Sequence, residues 1–277
     1  MKKYDLEVLS LGAGVQSSVI ALMIEEKELP PIDFAVFADT GAEPRAVYEW
    51  LDHLETLVSF PIHRVKWKNL TEAMTEEAGI VQGGGILKGK RSTIPAFTTG
   101  RNGRSRGQLM RTCTMNYKVI PITKFIREQL GVRKGHRVKS KMVRRWMGIS
   151  FDEIQRYRDS SEKWADNFYP LIEKRMHRHQ CLEWMESRGY PEPPRSACTY
   201  CPYHSDREWR RLRDNDPEGW AEALDVDKRI RAGLGTTTEE LFLHSSLIPL
   251  EDVDLRTDID KGQMSLFDDE CAGICGV

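Results

Sequence analysis

The chain has 277 residues, 40% of them hydrophobic and 30% charged, a composition that suits one large α/β domain with a smaller appendage. No apolar run reaches the roughly 18 residues a membrane-spanning helix needs, and Met1-Lys2-Lys3-Tyr4-Asp5 leads into a short strand-like run rather than the apolar core of a signal peptide, so a cytoplasmic location is expected. The net charge of −1 hides a segregation: from Ala78 to Phe151 there are 17 Lys and Arg against one acid, Glu128, a net +16 that leaves −17 for the remainder.

In chain order, Leu6–Leu11 reads as a buried strand that ends in Gly12-Ala13-Gly14. Val15–Glu26 follows as a helix with Val19, Ile20, Leu22 and Met23 on its apolar face. Ile32–Ala38 is a second strand, Asp39-Thr40-Gly41 a turn, and Pro44 to Val58 a helix with proline in its first turn. Ile62–Trp67 is a third strand. This βαβαβ order predicts a parallel sheet with right-handed crossovers. From Gly79 the periodicity is lost, and Gly83-Gly84-Gly85 and the glycine- and arginine-rich stretch 100–107 read as loops. A helix is expected over Val119–Leu130 and a strand over Arg144–Ile149. After Tyr169-Pro170-Leu171 the chain turns helical and charged, with a break at Pro191–Pro194. The expected division is 1–175 for the sheet domain and 176–277 for a helical C-terminal region.

Ser10-Leu11-Gly12-Ala13-Gly14-Val15-Gln16-Ser17-Ser18 stands between a strand and a helix, a context that suits phosphate. Glycines let the backbone approach the anion, the helix N-terminus offers N–H groups, and three serine hydroxyls add donors. It is not a Walker loop, since no Gly-Lys-Ser/Thr follows, nor a G-x-G-x-x-G, since Ser17 holds the third position. An ordinary tight βα turn is the plainer alternative.

Three motifs together carry a family resemblance. The Ser10–Ser18 loop resembles the PP-loop of adenine-nucleotide α-hydrolases in the form seen in PAPS reductases. Phe37-Ala38-Asp39-Thr40-Gly41-Ala42-Glu43 resembles the family's Asp-Thr-Gly strand end. Arg111-x-Cys113-x-x-x-Tyr117-Lys118-Val119-x-Pro121 is similar to the Cys…Arg-Lys-Val-x-Pro motif of APS and PAPS reductases, with Tyr117 in place of Arg. The resemblance implies a Rossmann-like, HUP-type α/β sheet flanked by helices. It implies a nucleotide site at Ser10, Gly12, Gly14, Gln16, Ser17, Ser18, Asp39 and Thr40.

Six cysteines in a reducing compartment are read as metal ligands or redox groups before disulfides. Cys198-Thr199-Tyr200-Cys201 is a C-x-x-C that can chelate one metal or cluster, with Cys113 and Cys181 as further candidates. Iron–sulfur APS reductases use a Cys-Cys pair plus a C-x-x-C. Cys113 matches the first of that pair and Thr114 replaces the second, so Cys181 is expected to complete a [4Fe–4S] site with Cys113, Cys198 and Cys201. Zinc on the same ligands is the rival, and a buried core thiol is the plainer reading of Cys181. Glu270-Cys271, with Cys275 beyond it, loosely resembles the Glu-Cys-Gly tail that carries the PAPS reductase nucleophile. Asp152-Glu153 could hold Mg²⁺, with helix capping the likelier role for Asp152.

The resulting expectation is an ATP- and Mg²⁺-using enzyme that adenylylates a substrate, releases pyrophosphate and delivers sulfur to tRNA or DNA. Arg101, Arg104, Arg106, Arg111 and Lys118 are expected on phosphates, and Cys271, Lys118 and Asp39 in the chemistry. A sulfur donor or a thioredoxin-like reductant is the implied protein partner. Two alternatives stand beside it: a PAPS or APS reductase in which Cys271 attacks sulfur and sulfite leaves, and a non-catalytic nucleotide- and nucleic-acid-binding factor. A solvated basic face is the plain reading of the charge run.

Overall fold

The first strand of the chain, β1 (Leu6–Leu11), lies at the centre of a five-stranded parallel sheet. The computed structural model describes residues 4–75, 78–81, 85–88, 94–99, 107–231, 239–256 and 260. Helix α1 (Val15–Glu25), strand β2 (Phe34–Asp39), helix α2 (Arg45–Leu57) and strand β3 (Ile62–Lys66) follow β1, within two residues of the expected bounds. After a short helix α3 (Leu70–Thr75) come the hairpin β4 (Ala78–Val81) and β5 (Gly85–Lys88), then β6 (Phe97–Thr98) and β7 (Gly107–Gln108). A π-turn at Thr114–Val119 runs into α4 (Ile120–Gln129). Strand β8 (Val143–Met147), β9 (Ala165–Phe168), α5 (Pro170–Glu173) and α6 (Arg178–Glu186) complete the sheet layer. Helices α7 (Asp206–Asn215) and α8 (Pro217–Arg231) and strand β10 (Leu241–Phe242) follow.

The sheet order is β3-β2-β1-β8-β9, every pair parallel. The chain builds outward from β1 to β3, then crosses over and builds outward on the other side through β8. That reversal makes the C-terminal ends of β1 and β8 the switch point, where doubly wound sheets bind ligands.

Side chains alternate across the strands with a period of two. Leu9, Leu11, Ala35, Phe37 and Trp146 join one core with α1, α2 and α6. Val8, Phe34, Val36, Ala38, Val143 and Ala165 join another, covered by Ile122 and Ile126 of α4. A third core gathers Ala42, Leu70, Ile94, Ala96 and Tyr117 with Tyr200, Trp209, Val226, Ile230 and Leu241. It draws on residues from both sides of position 175. Cys181, Trp184 and Met185 of α6 belong instead to the first core.

The glycine-rich stretch after Gly79, read as loop, contains the β4–β5 antiparallel pair. Strands of two to four residues such as β6, β7, β9 and β10 are too short for period-two alternation to register.

Candidate functional site

The loop after β1 is closed by its own groups. Gly12 N donates to Ser17 Oγ at 3.2 Å, and Ser17 Oγ donates to Gly14 O at 3.2 Å. Ala13 sits between the two glycines in the left-handed region, at φ 58°, with its side chain fully buried. Such a conformation costs an alanine about 1–2 kcal/mol and persists only where the surroundings impose it. Gly14 caps α1 with extended backbone at φ −95° and ψ 178°, and no side chain caps the helix. The first-turn amides therefore face the switch point with the positive end of the helix dipole behind them.

Neighbouring segments hold this loop tightly. A Cβ on Gly148, just after β8, would fall 2.9 Å from both the backbone N and the Cβ of Ser17. Only glycine lets the two chains approach so closely. Gln16 spans the switch point, its Nε2 donating to Ser150 Oγ at 3.4 Å and Glu153 Oε2 at 3.3 Å. Gly148 and Ser150 were not singled out in the sequence, and Glu153 was read only as a Mg²⁺ candidate beside Asp152. A glycine immediately after a strand is the signal that could have found the first.

The second loop follows β2. Asp39 Oδ1 accepts from Gly41 N and from Tyr48 OH, both at 2.7 Å, and its Oδ2 lies 3.3 Å from Lys66 Nζ. Both oxygens are engaged in shaping the turn, where Gly41 has φ 71°. Burial, then Asp39, raises the Tyr48 pKa. Thr40 is buried; its Oγ1 accepts from Ala42 N at 3.2 Å, donates to Glu43 Oε1 at 3.3 Å, and lies 3.7 Å from Cys198 Sγ.

The third segment is the C-x-x-C turn. Thr199 N donates to Ala42 O at 2.8 Å, and Cys201 N donates to Cys198 O at 3.0 Å. Ser196 lies against Gly14, 3.5 Å from where a Cβ there would be. The cysteine turn thus packs on both the Asp-Thr-Gly turn and the phosphate-type loop. His204 Nε2 donates to Cys198 O at 3.0 Å, and burial, with Arg195 adding, draws the imidazole pKa down to about 4.

Lys118 completes the group. It sits in the π-turn that precedes Pro121, whose ring nitrogen has no proton for the carbonyl four residues back. Its Nζ lies 3.2 Å from Glu43 Oε1, and the two side chains are 18% and 0% exposed. Burial alone would lower the Lys118 pKa, but Glu43 and then Cys198 and Cys113 reverse this and hold it above the ordinary lysine value. Glu43 Oε2 is buried with no hydrogen-bond partner among the described residues. Burial and then Glu43 push the Cys198 thiol pKa up. Lys118 acts on the same thiol in the opposite sense, favouring the thiolate.

Several expected site residues stand elsewhere. Ser18 is fully buried, and its Oγ accepts from Trp50 Nε1 at 2.9 Å, so its hydroxyl ties α1 to α2. The four-cysteine set is not assembled. Cys181 lies within the apolar core under α1, where burial pushes its thiol up to about 12, whereas Cys113 and Cys198 pack against the third core. Among the described residues no group of three or more His, Cys, Asp or Glu side chains is arranged to hold a metal ion. The donors among the described residues do not fit a four-cysteine cluster or zinc site, and Cys181 is corrected from ligand to core thiol. Asp152 Oδ1 accepts from Arg178 N at 2.9 Å and so caps α6 rather than helping Glu153 to hold a cation. Arg101, Arg104, Arg106, Cys271 and Cys275 lie outside the described residues.

The basic stretch is divided by the fold. Arg133, Lys134, Arg137 and Lys139 are exposed between α4 and β8, at the N-terminal end of β8. The loop lies at its C-terminal end, five residues on, which is about 16 Å at roughly 3.3 Å per residue. Arg144 is held by Glu7 in a two-pronged pair at 2.6 and 2.7 Å. Arg111 stays at the site, its guanidinium 5.7 Å from the centre of the Tyr203 ring.

No protein-family model matches this chain, and no curated protein does. Among solved structures it is similar in fold to a phosphoadenylyl-sulfate (PAPS) reductase from Candida auris in complex with phosphate. There the TM-score is 0.44 with 14% identity, covering 69% of this chain and 76% of that one. It is also similar to the U34-tRNA thiolase NcsA from Methanococcus maripaludis with its [4Fe-4S] cluster, at a TM-score of 0.36 and 11% identity, covering 83% and 74%. Likeness at this level is loose, and what the site does is argued from the residues of this chain. No helix of the described residues is long and apolar enough to cross a membrane.

Proposed function

We propose that this chain is an enzyme that binds ATP at the β1–α1 loop and transfers its adenylyl group to an oxygen of a nucleic acid, as the activating step of sulfur transfer. One observation carries the reading. The uncapped N-terminus of α1 sits at the sheet's switch point, and segments from β2, β8 and the C-x-x-C turn converge on it.

In this reading the first-turn amides and Ser17 hold the β- and γ-phosphates, with Mg²⁺ arriving on the nucleotide. The acceptor oxygen attacks the α-phosphorus, the bond to the β-phosphate oxygen breaks, and pyrophosphate leaves into the loop that already binds it. Lys118 is assigned the charge that accumulates on the phosphoryl oxygens. A sulfur nucleophile charged by a separate sulfur donor then displaces AMP. Cys113 and Cys198 are the described thiols beside Lys118, and the basic segment around Arg111 supports an anionic macromolecular acceptor. No step is assigned to an iron–sulfur cluster or to zinc.

The test is calorimetry on anaerobically purified protein with ATP, PAPS and APS, followed by a pyrophosphate-release assay with tRNA or DNA. Preference for ATP, with pyrophosphate release stimulated by one nucleic acid, is expected. Preference for PAPS or APS with sulfite release would replace this reading with a reductase. Binding of ATP and nucleic acid without turnover would leave a non-catalytic factor.

A further inference from the structure

Between α4 and β8, residues 131–141 read Gly-Val-Arg-Lys-Gly-His-Arg-Val-Lys-Ser-Lys, with five lysines and arginines and no acid. The loop is braced from within. Arg127 Nη2 donates to His136 O, and Lys141 Nζ donates to Leu130 O at 2.6 Å. Val132 N donates to Arg127 O at 2.9 Å and His136 N to Arg133 O at 3.1 Å, with Gly135 turning the corner at φ 83°. Val132 and Val138 pack against the core that α4 covers. With these side chains turned inward, Arg133, Lys134, Arg137 and Lys139 are left exposed, and none of the four pairs with an acid among the described residues.

Elsewhere the surface does the opposite. Exposed Arg45, Arg229 and Arg256 each meet a carboxylate at 2.7 Å, from Glu49, Asp225 and Asp254. The carboxylates that flank the basic loop are engaged already: Asp5 accepts from Met142 N at 2.7 Å, Glu7 holds Arg144, and Glu128 lies 3.9 Å from Lys124. Four like charges within the stretch 133–139 repel one another. Held on a braced loop without counter-charges, they suit an anion from outside the fold.

The kind of anion follows from what the loop lacks. It has no Phe, Tyr or Trp on which bases could stack, the device of single-strand sites. The exposed large apolar side chains, Met110, Met115, Ile154, Tyr157 and Ile248, all lie outside it, so it has nothing to enter a lipid layer. It offers charge alone, which matches the phosphate backbone of a double helix, contacted without regard to sequence. From the Lys118 turn, α4 runs ten residues to reach this loop, about 15 Å at 1.5 Å per residue. An acceptor that reacts at the switch point and also touches the loop extends over at least that distance.

We propose that the α4–β8 loop is a second, sequence-independent docking surface for a duplex segment of the acceptor, with Arg133, Lys134, Arg137 and Lys139 on its phosphates. The proposal rests on the nucleic-acid reading above and adds the form of the acceptor and the place where it is held.

The experiment measures binding of the full chain over a range of salt to a duplex of about two helical turns, once as RNA and once as DNA. A single strand of the same length and vesicles containing phosphatidylserine are the comparison probes. One variant carries Arg133→Gln, Lys134→Gln, Arg137→Gln and Lys139→Gln; a second, Arg133→Lys with Arg137→Lys, keeps the charge. Wild type is expected to bind one duplex tighter than the single strand or the vesicles, and the tighter duplex names the acceptor's sugar. The glutamine variant is expected to flatten the plot of log affinity against log salt by about 3–4, near 0.9 per lost phosphate contact, and to bind at least about tenfold more weakly. The lysine variant is expected to keep the wild-type slope, and ATP binding to stay within about twofold in both. An unchanged slope and affinity in the glutamine variant overturns the proposal, as does a wild type that binds no duplex or prefers single strand or vesicles. ATP binding and pyrophosphate release with duplex affinity indifferent to the loop overturns the surface and leaves the adenylyl reading standing. Loop-dependent duplex binding without ATP binding does the reverse.

Discussion

Gly148→Ala is the most informative single perturbation of the site. The new methyl would stand 2.9 Å from Ser17 N and Cβ, where about 3.5 Å is the comfortable approach. Ser17 belongs to the first turn of α1, so the clash cannot be relieved by rotating one side chain. The turn has to retreat by roughly 0.6 Å. Overpacking of this kind costs about 1–3 kcal/mol, which for a chain of this size is a Tm loss of roughly 2–5 °C. The same retreat misaligns amides that would contact phosphate, each such charged hydrogen bond being worth about 1.5–3 kcal/mol, so ATP and pyrophosphate affinity should fall at least about tenfold. Thermal unfolding and calorimetry on the same preparations read both effects. Gly12→Ala separates them: its Cβ would meet only Ser17 Oγ, at 3.8 Å, so it is expected to keep the wild-type Tm and to lose affinity where phosphate must approach the backbone. A Gly148→Ala protein with wild-type Tm and wild-type affinity would refute the claim that β8 sets the loop's position.

Other perturbations follow from the same geometry. Glu43→Gln leaves Lys118 charged, buried and unpaired, at a cost of about 3–5 kcal/mol, and adding Lys118→Met should recover part of it; urea unfolding of the three variants measures the coupling. Ser18→Ala strands Trp50 Nε1 in the core and should cost about 1–3 kcal/mol, read by the urea midpoint, with nucleotide affinity unaffected. Cys181 has a folded pKa raised by burial to about 12, above the unfolded value of about 8.5. The unfolded chain releases that proton first, so the contribution to stability is intact below about pH 8.5 and is lost as pH rises toward 12, at up to roughly 1.4 kcal/mol per pH unit. Cys181→Ala should flatten that alkaline slope in urea melts between pH 8 and 10, and native Cys181 should resist iodoacetamide until denaturant is added.

Alternation and helical periodicity located β1, α1, β2, α2 and β3 because each is long enough to show its period and is bounded by glycine or proline. They also placed the glycine- and serine-rich loop between β1 and α1, where the sheet's order reverses. What they could not resolve was direction within a run of similar residues. Ser17 closes the loop while Ser18, one position on and about 100° round the helix, bonds Trp50. The oxygens of Asp39 and Thr40 bind the turn, Tyr48, Glu43 and Ala42, partners that the Asp-Thr-Gly spacing does not name. Cys181 was assigned by counting cysteines, and spacing carries no information on which core a helix enters. Glu43 closes the quoted strand-end motif but was given no role of its own, because its meaning comes from a lysine 75 positions later.

Helix α1 buries nine of its eleven residues, so it has almost no face suited to water. The sheet covers one side, and α6 covers another from more than 150 residues further along the chain. During synthesis the Val19-Ile20-Ala21-Leu22-Met23-Ile24 segment therefore emerges long before its cover does. A ribosome-bound or truncated chain that ends before Arg178 should present this segment to chaperones and to other nascent chains. Fragments ending there should collect in the insoluble fraction.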